Sequence, residues 1–498
     1  MTIENDLHNL QTSLLCPPTT LGRGRRSWLP HHARRWGPPT RKRLGRATAL
    51  WLVGGILCGP VFAADAAPVP RMTLDECVQL ALEQSPLLEA TAQDHAIARE
   101  ATGEARAPYY PTLGLRGGVS RWQNHAFLPS GIDAPNVSST TGPTDDWSAS
   151  GFARYLLVDG GVRRAGLAAA KSLESEALQM GEAARLNVAF QVHQAFYQLA
   201  AAFELQTVAS NSLVNAESHL GLAKSRQAAG STTQADVLRT QVDADNAKAE
   251  LIRTKSLIRM AQGELNVAMG FPAERPIKIA PKETRSLSGE ELDLAELLEQ
   301  AIEARPEVTA AQSAVVAAQQ QAQAAKGAFG PKIYADANYG WRDDSSALQD
   351  EAWFVGLGVE LTVFEGLSKR HGLAKARAAS AKAAAALEQV RLAVRQEVWS
   401  AAAQVQTEGE LVQATTTQVR DAEESLRLMA SRYKVGAVTV TDLLDAQMAD
   451  TAAAARHVQA RWNYQLAQAA LQRATGTLTE DFGETAASDR VIEHPISK

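Results

Sequence analysis

The stretch Val435–Gln447 reads VGAVTVTDLLDAQ, and Ala229–Gln241, 206 residues earlier, reads AGSTTQADVLRTQ. Glycine, threonine, aspartate and glutamine keep their places in both. Outward from this phrase the echo continues at the same offset: Val158-Asp159-Gly160 against Phe364-Glu365-Gly366, and Ala268-Met269-Gly270 against Ala474-Thr475-Gly476. Nearer the amino end the offset becomes 220, matching LDECVQLALEQSP (Leu74–Pro86) to LAELLEQAIEARP (Leu294–Pro306) and APYYPTL (from Ala107) to GAFGPKI (from Gly327). The chain is therefore a duplicated unit. The 14-residue difference falls between Trp122 and Trp147, where QNHAFLPSGIDAPNVSSTTGPTDD is polar and rich in turn formers and predicts a longer surface loop in the first copy. The expected division is a leader over 1–63, a first repeat over 64–285, a second over 286–480 and a polar tail over 481–498.

Each copy repeats one order of elements. A helical stretch begins near Thr73 or Glu291, and a proline at 86 or 306 opens a second helical segment. Two strand-like stretches follow. A proline-free helical run then extends from about Gly161 to Ala229, or Gly366 to Val435, and at ~1.5 Å per residue it is on the order of 100 Å long. The glycine of the opening phrase ends that helix, and a second helix returns to Gly270 or Gly476. Helices of this length cannot hide an apolar stripe inside a compact domain, so they pack lengthwise as antiparallel coiled coils with the phrase at the hairpin tip.

The strand-like stretches decide the solvent. WFVGLGVELTVF (Trp353–Phe364) alternates Trp353, Val355, Leu357, Val359, Leu361 and Val363 against a more polar set. KIYADANYGW (Lys332–Trp341) alternates likewise, TLGLRGGVSRW (Thr112–Trp122) more loosely, and WSASGFARYLLV (Trp147–Val158) least. Trp122, Trp147, Trp341 and Trp353 mark the loop-side ends. Ten to twelve alternating residues bounded by aromatics fit a lipid-facing barrel strand with an aromatic girdle. A soluble hairpin packed on helices explains the alternation too, but not the tryptophans at matching ends. Four strands cannot close a barrel, and open edges are not tolerated in lipid, so several copies must share one.

Nine basic residues between Arg23 and Arg46 precede ATALWLVGGILCGPVFAADA, the order of a secretory signal. Cleavage after Ala63 leaves 41 basic against 53 acidic residues, a net charge of −12, which argues against a nucleic-acid partner. Of three cysteines only Cys77 remains, so no internal disulfide is expected. Neither GAFGPK nor EGLSKR has phosphate-loop spacing, and the ten histidines show no zinc spacing, so no cofactor, metal or catalytic chemistry is expected.

Leader, duplicated helix–strand–strand–helix order, long hairpins and the phrase G-x-x-x-x-x-D-L-L-D-A-Q together resemble the TolC family of outer-membrane efflux proteins, over about Thr73–Gly476. The resemblance implies a fold that is mainly α with a membrane β-barrel: a homotrimer sharing twelve strands in outer-membrane lipid, continued by a twelve-helix periplasmic tunnel. It implies a periplasmic adaptor protein and an inner-membrane pump as partners, and a passive exit duct rather than an enzyme. It places the hairpin tips, with Gly230, Gly436 and Val438, where the adaptor docks. It assigns Asp236, Asp442, Asp445 and Tyr433 to the periplasmic gate. Val438 departs from the pattern, since familiar members carry a gate arginine there, so closure by packing and hydrogen bonds is expected. Asp236 and Asp442 also fall in the first turn of the returning helix, where acids stabilise against the helix dipole. The alternatives are a soluble periplasmic coiled-coil scaffold and an adhesin-like barrel, the latter disfavoured by the few strands.

Overall fold

The computed structural model describes residues 71–125, 140–281 and 293–478; the leader, the tail and residues 126–139 of the long loop lie outside them. The first copy runs α1 (Leu74–Gln84), α2 (Pro86–Arg106), β2 (Thr112–His125), β3 (Thr140–Val158), α3 (Val162–Ala228) and α4 (Gln234–Ala268). The second runs α5 (Leu294–Ala304), α6 (Pro306–Gly327), β5 (Lys332–Asp343), β6 (Glu351–Glu360), α7 (Ser368–Lys434) and α8 (Val440–Thr475). Two short strands, β1 (Arg71–Met72) and β4 (Lys278–Ile279), pair in parallel and bring the ends of the first copy together.

α3 and α7 each span 67 residues, and what keeps such helices from standing as bare rods is a seven-residue period. Along α3 the buried positions include Ala195, Ala202, Ala209, Ala216 and Ala223; along α8 they include Ala446, Ala453, Ala460, Ala467 and Ala474; along α4, Val237, Ala244, Ile258 and Leu265. A strict heptad winds neighbouring helices into a left-handed supercoil, and alanine at the seam lets the backbones approach closely. α3 is also bonded across to α8, by Thr451 to Ser212 at 3.2 Å and by Arg461 to Glu204 at 3.1 Å.

The main core lies where α1 crosses the middle of α3. Cys77, Val78 and Ala81 meet Val188, Val192, Phe196 and Leu199 of α3, Leu265 of α4 and Trp462 of α8. Cys77 is a buried free thiol, and burial pushes its pKa up to about 12. A second core joins α5, α6 and α7 around Ala301, Val308, Val394 and Val398. At its edge Arg305 is almost fully buried, donating to Glu307 and Glu397 and to the carbonyls of Arg473 and Ala474, the orphan acceptors at the end of α8.

β2, β3, β5 and β6 form an antiparallel sheet in that order, with β2 and β6 at its free edges. Register aligns Leu113, Ala153, Ala337 and Val355 on one face, with Leu115, Val119, Trp147, Tyr339, Trp353, Leu357 and Val359 on the same side. That face packs on no helix: Leu115 is 91% exposed and Val359 71%. The opposite face is polar and holds two cross-strand ion pairs, Arg154–Asp336 and Arg342–Asp146, both at 2.5 Å.

Three details of the sheet differ from the sequence expectations. Gln123–His125 and Thr140–Asp146, expected in the loop, extend β2 and β3, because Asp145 and Asp146 find Arg121 and Arg342 across the strands. β6 stops at Glu360 rather than Phe364, because its partner β5 begins at Lys332, preceded by Pro331, which has no N–H to continue the ladder. Trp122 lies opposite Thr144, in the polar register, so it does not share a face with Trp147, Trp341 and Trp353.

Candidate functional site at the hairpin tips

The opening phrase is a helix stop followed by a helix start. Gly230 adopts φ 72° and Gly436 φ 79°, a left-handed conformation that costs a side-chain-bearing residue energy. In the first tip Gly230 N–H donates to the Gln227 carbonyl and Ser231 N–H to that of Arg226; in the second, Gly436 donates to Tyr433 and Ala437 to Arg432. These bonds satisfy the last carbonyls of α3 and α7. Two residues later Thr233 and Thr439 begin α4 and α8, each hydroxyl accepting from the N–H of the aspartate three positions on.

The aspartates close these capping boxes from the other side. The Asp236 carboxylate accepts from the hydroxyls of Thr232 and Thr233 at 2.7 and 2.8 Å and from Thr233 N–H at 3.2 Å. Asp442 accepts from the Thr439 hydroxyl at 2.7 Å and its N–H at 2.9 Å. The hydroxyl donors hold both carboxyls below the usual range. Asp445, one turn further, is exposed between the buried Leu443 and Ala446.

Tyr433 is buried in a small cluster with Val440 and Leu443, against which Leu222 of α3, Leu426, Met429 and Val438 pack. Burial pushes its phenol pKa up. Over its ring, 4.8 Å from the centroid, lies the guanidinium of Arg226 from the other hairpin, which also donates to the Tyr433 carbonyl at 2.5 Å. A second arginine of the first copy, Arg239, donates to the Thr441 hydroxyl at 3.0 Å. Val438 is thus a packing residue, and two arginines of hairpin α3–α4 hold the end of α7 and the start of α8 on either side of the second tip. Sequence reasoning missed Arg226. Its signal was the pair Ser225-Arg226 against Ser431-Arg432, which extends the repeated phrase upstream by four residues.

The tip offers exposed charge and hydrogen bonding, with its threonine hydroxyls and aspartate carboxylates engaged in the helix caps. Among the described residues no group of three His, Cys, Asp or Glu is placed to hold a metal, and no helix is long and apolar enough to cross a membrane.

Comparison with known proteins places this architecture. The family model described as outer membrane efflux protein matches residues 77–271 and 297–477. The chain is 28% identical over 452 residues to protein CyaE of Bordetella pertussis, covering 84% of this chain and 92% of that one. It is 26% identical over 416 residues to the pyoverdine export outer membrane protein OpmQ of Pseudomonas aeruginosa, covering 81% and 85%. Its fold matches the crystal structure of the outer membrane protein VceC of Vibrio cholerae with a TM-score of 0.71 at 22% identity, over 81% of this chain and 96% of that one. The soluble scaffold falls with these matches, as it does with the uncovered apolar sheet face. With both copies matched end to end, the chain belongs to the outer membrane efflux protein family and is an outer-membrane export channel.

Proposed function

We propose that three copies close one twelve-stranded barrel through the outer membrane, and that six hairpin tips form its periplasmic aperture, opened when an adaptor and an inner-membrane pump engage. The observation that carries this reading is the four-stranded sheet with an apolar face and two free edges. The strands alternate in direction, so β6 of one copy can pair antiparallel with β2 of the next and continue the alternation around a ring. Unpaired edge groups cost several kcal/mol each in lipid. Apolar residues on the outer flanks of the helices, Ile252 and Met260 of α4 and Leu392 and Trp399 of α7, also await neighbours.

In this reading the duct supplies a water-filled path, and the pump supplies the energy. The aperture is held shut inside each copy by Arg226 on Tyr433 and by Arg239 on Thr441. Arg432, in the repeat position of Arg226, is exposed within the single chain. A charge-assisted hydrogen bond together with a cation–π contact amounts to about 2 kcal/mol, enough to shift an open–closed ratio more than tenfold. The double substitution Arg226→Ala, Arg239→Ala should therefore raise channel open time in planar bilayers by about tenfold or more. Unchanged gating would remove these residues from the gate.

A further inference from the structure

The stripe of α3 that carries Arg226 also carries a histidine. His219 lies seven residues before it, two helical turns or about 10 Å inward from the tip. Antiparallel packing sets two other residues at that level: Asp243 of α4, seven residues after Asp236, and Gln447 of α8, seven after Val440. Gln447 is 2% exposed, and its amide nitrogen donates to Thr451, whose hydroxyl donates to Ser212 of α3, both at 3.2 Å. The half-buried imidazole is therefore held where the two hairpins meet. Yet His219 Nε2 and Gln447 Oε1, which approach each other across this seam, are both buried without a well-formed hydrogen bond.

Ala216 and Ala223 meet the seam on either side of His219 with no polar atom to satisfy, so cohesion alone does not account for an imidazole there. We propose that His219 is a proton switch of the aperture: on taking up a proton at the seam it favours parting of hairpin α7–α8 from α3, and with it the open channel. The inference rests on the gate reading of the tips. The charged groups acting on the ring are Asp243 from α4 and Lys434 from the end of α7, while α8 presents the Gln447 amide. Burial holds the imidazole below its ordinary pKa, outweighing Gln447 and Asp243, which favour the charge, and Lys434 adds to the depression. Parting the hairpins returns the ring to water, where it titrates near its ordinary value of about 6.5. The open state therefore takes the proton first, and the closed state is fully stable above that value and weakens as pH falls below it. Asp243 acts the other way, since burial raises its carboxyl, but it does so at the lower pH where carboxylates titrate.

The test is the open probability of single channels of the full-length protein in planar bilayers at pH 7.5 and pH 5.5. Open probability is scored rather than current amplitude, because carboxylates along the path alter the current by themselves. In the wild type it should rise about twofold or more on acidification, and His219→Gln, polar but unable to take the proton, should abolish the rise. Asp243→Asn should steepen it, since it removes a carboxylate that favours the charged ring in the closed seam. A flat wild-type response, or equal slopes in the wild type and His219→Gln, would overturn the switch while leaving the gate in place. Should His219→Gln fail to insert, a slope unchanged by Asp243→Asn overturns it instead. Wild-type gating in the Arg226→Ala, Arg239→Ala protein would remove the gate reading, and the switch with it.

Discussion

Asp442 and Asp445 stand three residues apart at the start of α8, yet their carboxylates do different things. Asp442 is engaged by the backbone and hydroxyl of Thr439, whereas Asp445 is exposed to solvent. Asp445→Ala should lower cation selectivity at the aperture with little change in stability. Asp442→Ala should weaken the tip, because it removes the carboxylate half of the capping box. Bilayer reversal potentials paired with thermal unfolding separate the two; equal effects on both readouts would contradict the division. The Asp442 pKa is lowered in the fold, so its contribution is present above the ordinary carboxylate range and is lost only as pH falls below it. His193 behaves oppositely. It is buried in the main core with both ring nitrogens unpartnered, and burial lowers its pKa from 6.5 to about 4. The unfolded chain takes up the proton first, so stability is full above pH 6.5 and declines as pH falls towards 4, by up to about 3 kcal/mol per chain. His193→Phe should flatten the melting temperature between pH 7 and 4.5; an unchanged slope would place the sensitivity elsewhere.

At the scale of elements, the seven-residue alanine stripe is the feature most exposed to substitution. Ala216 is 1% exposed at the seam of α3. Ala216→Leu should cost about 1–3 kcal/mol by overpacking, read as an earlier unfolding transition, while Glu217→Ala, one position off the seam, should change little. These helices were legible in the sequence to within a few residues, because absent prolines, terminal glycines and heptad alanines are local signals. Boundaries set by a distant partner were not. The stop of β6 at Glu360 depends on Pro331, and the extension of β3 to Thr140 depends on Arg121 and Arg342. Trp122 sits with tryptophans in the sequence and across the sheet from them in space, since one residue of register changes the face. At the tips, glycine, threonine and aspartate were visible in the repeated phrase. Arg226 on Tyr433 was not, because the contact spans 207 residues and exists only once two hairpins lie side by side.

At the scale of the molecule, duplication makes an asymmetric pair from one design. The first hairpin lends Arg226 and Arg239, and the second supplies the buried Tyr433 and the exposed Asp445. Arg305, which replaces Ser85 of the first copy, caps α8 where Gly270 meets the backbone of Gln84 in the equivalent corner. What neither copy supplies is a closed sheet edge, so the central claim is that β2 and β6 join between chains. Disulfide trapping tests it most directly. In a Cys77→Ser background, cysteines at Val119 or Gly117 are paired with cysteines at Val355, Leu357 or Val359, and outer membranes are oxidised and run on denaturing gels. The expected result is a covalent series that ends at three chains for at least one pair. A product confined to single chains for every pair, or a ladder running past three, would contradict the shared barrel.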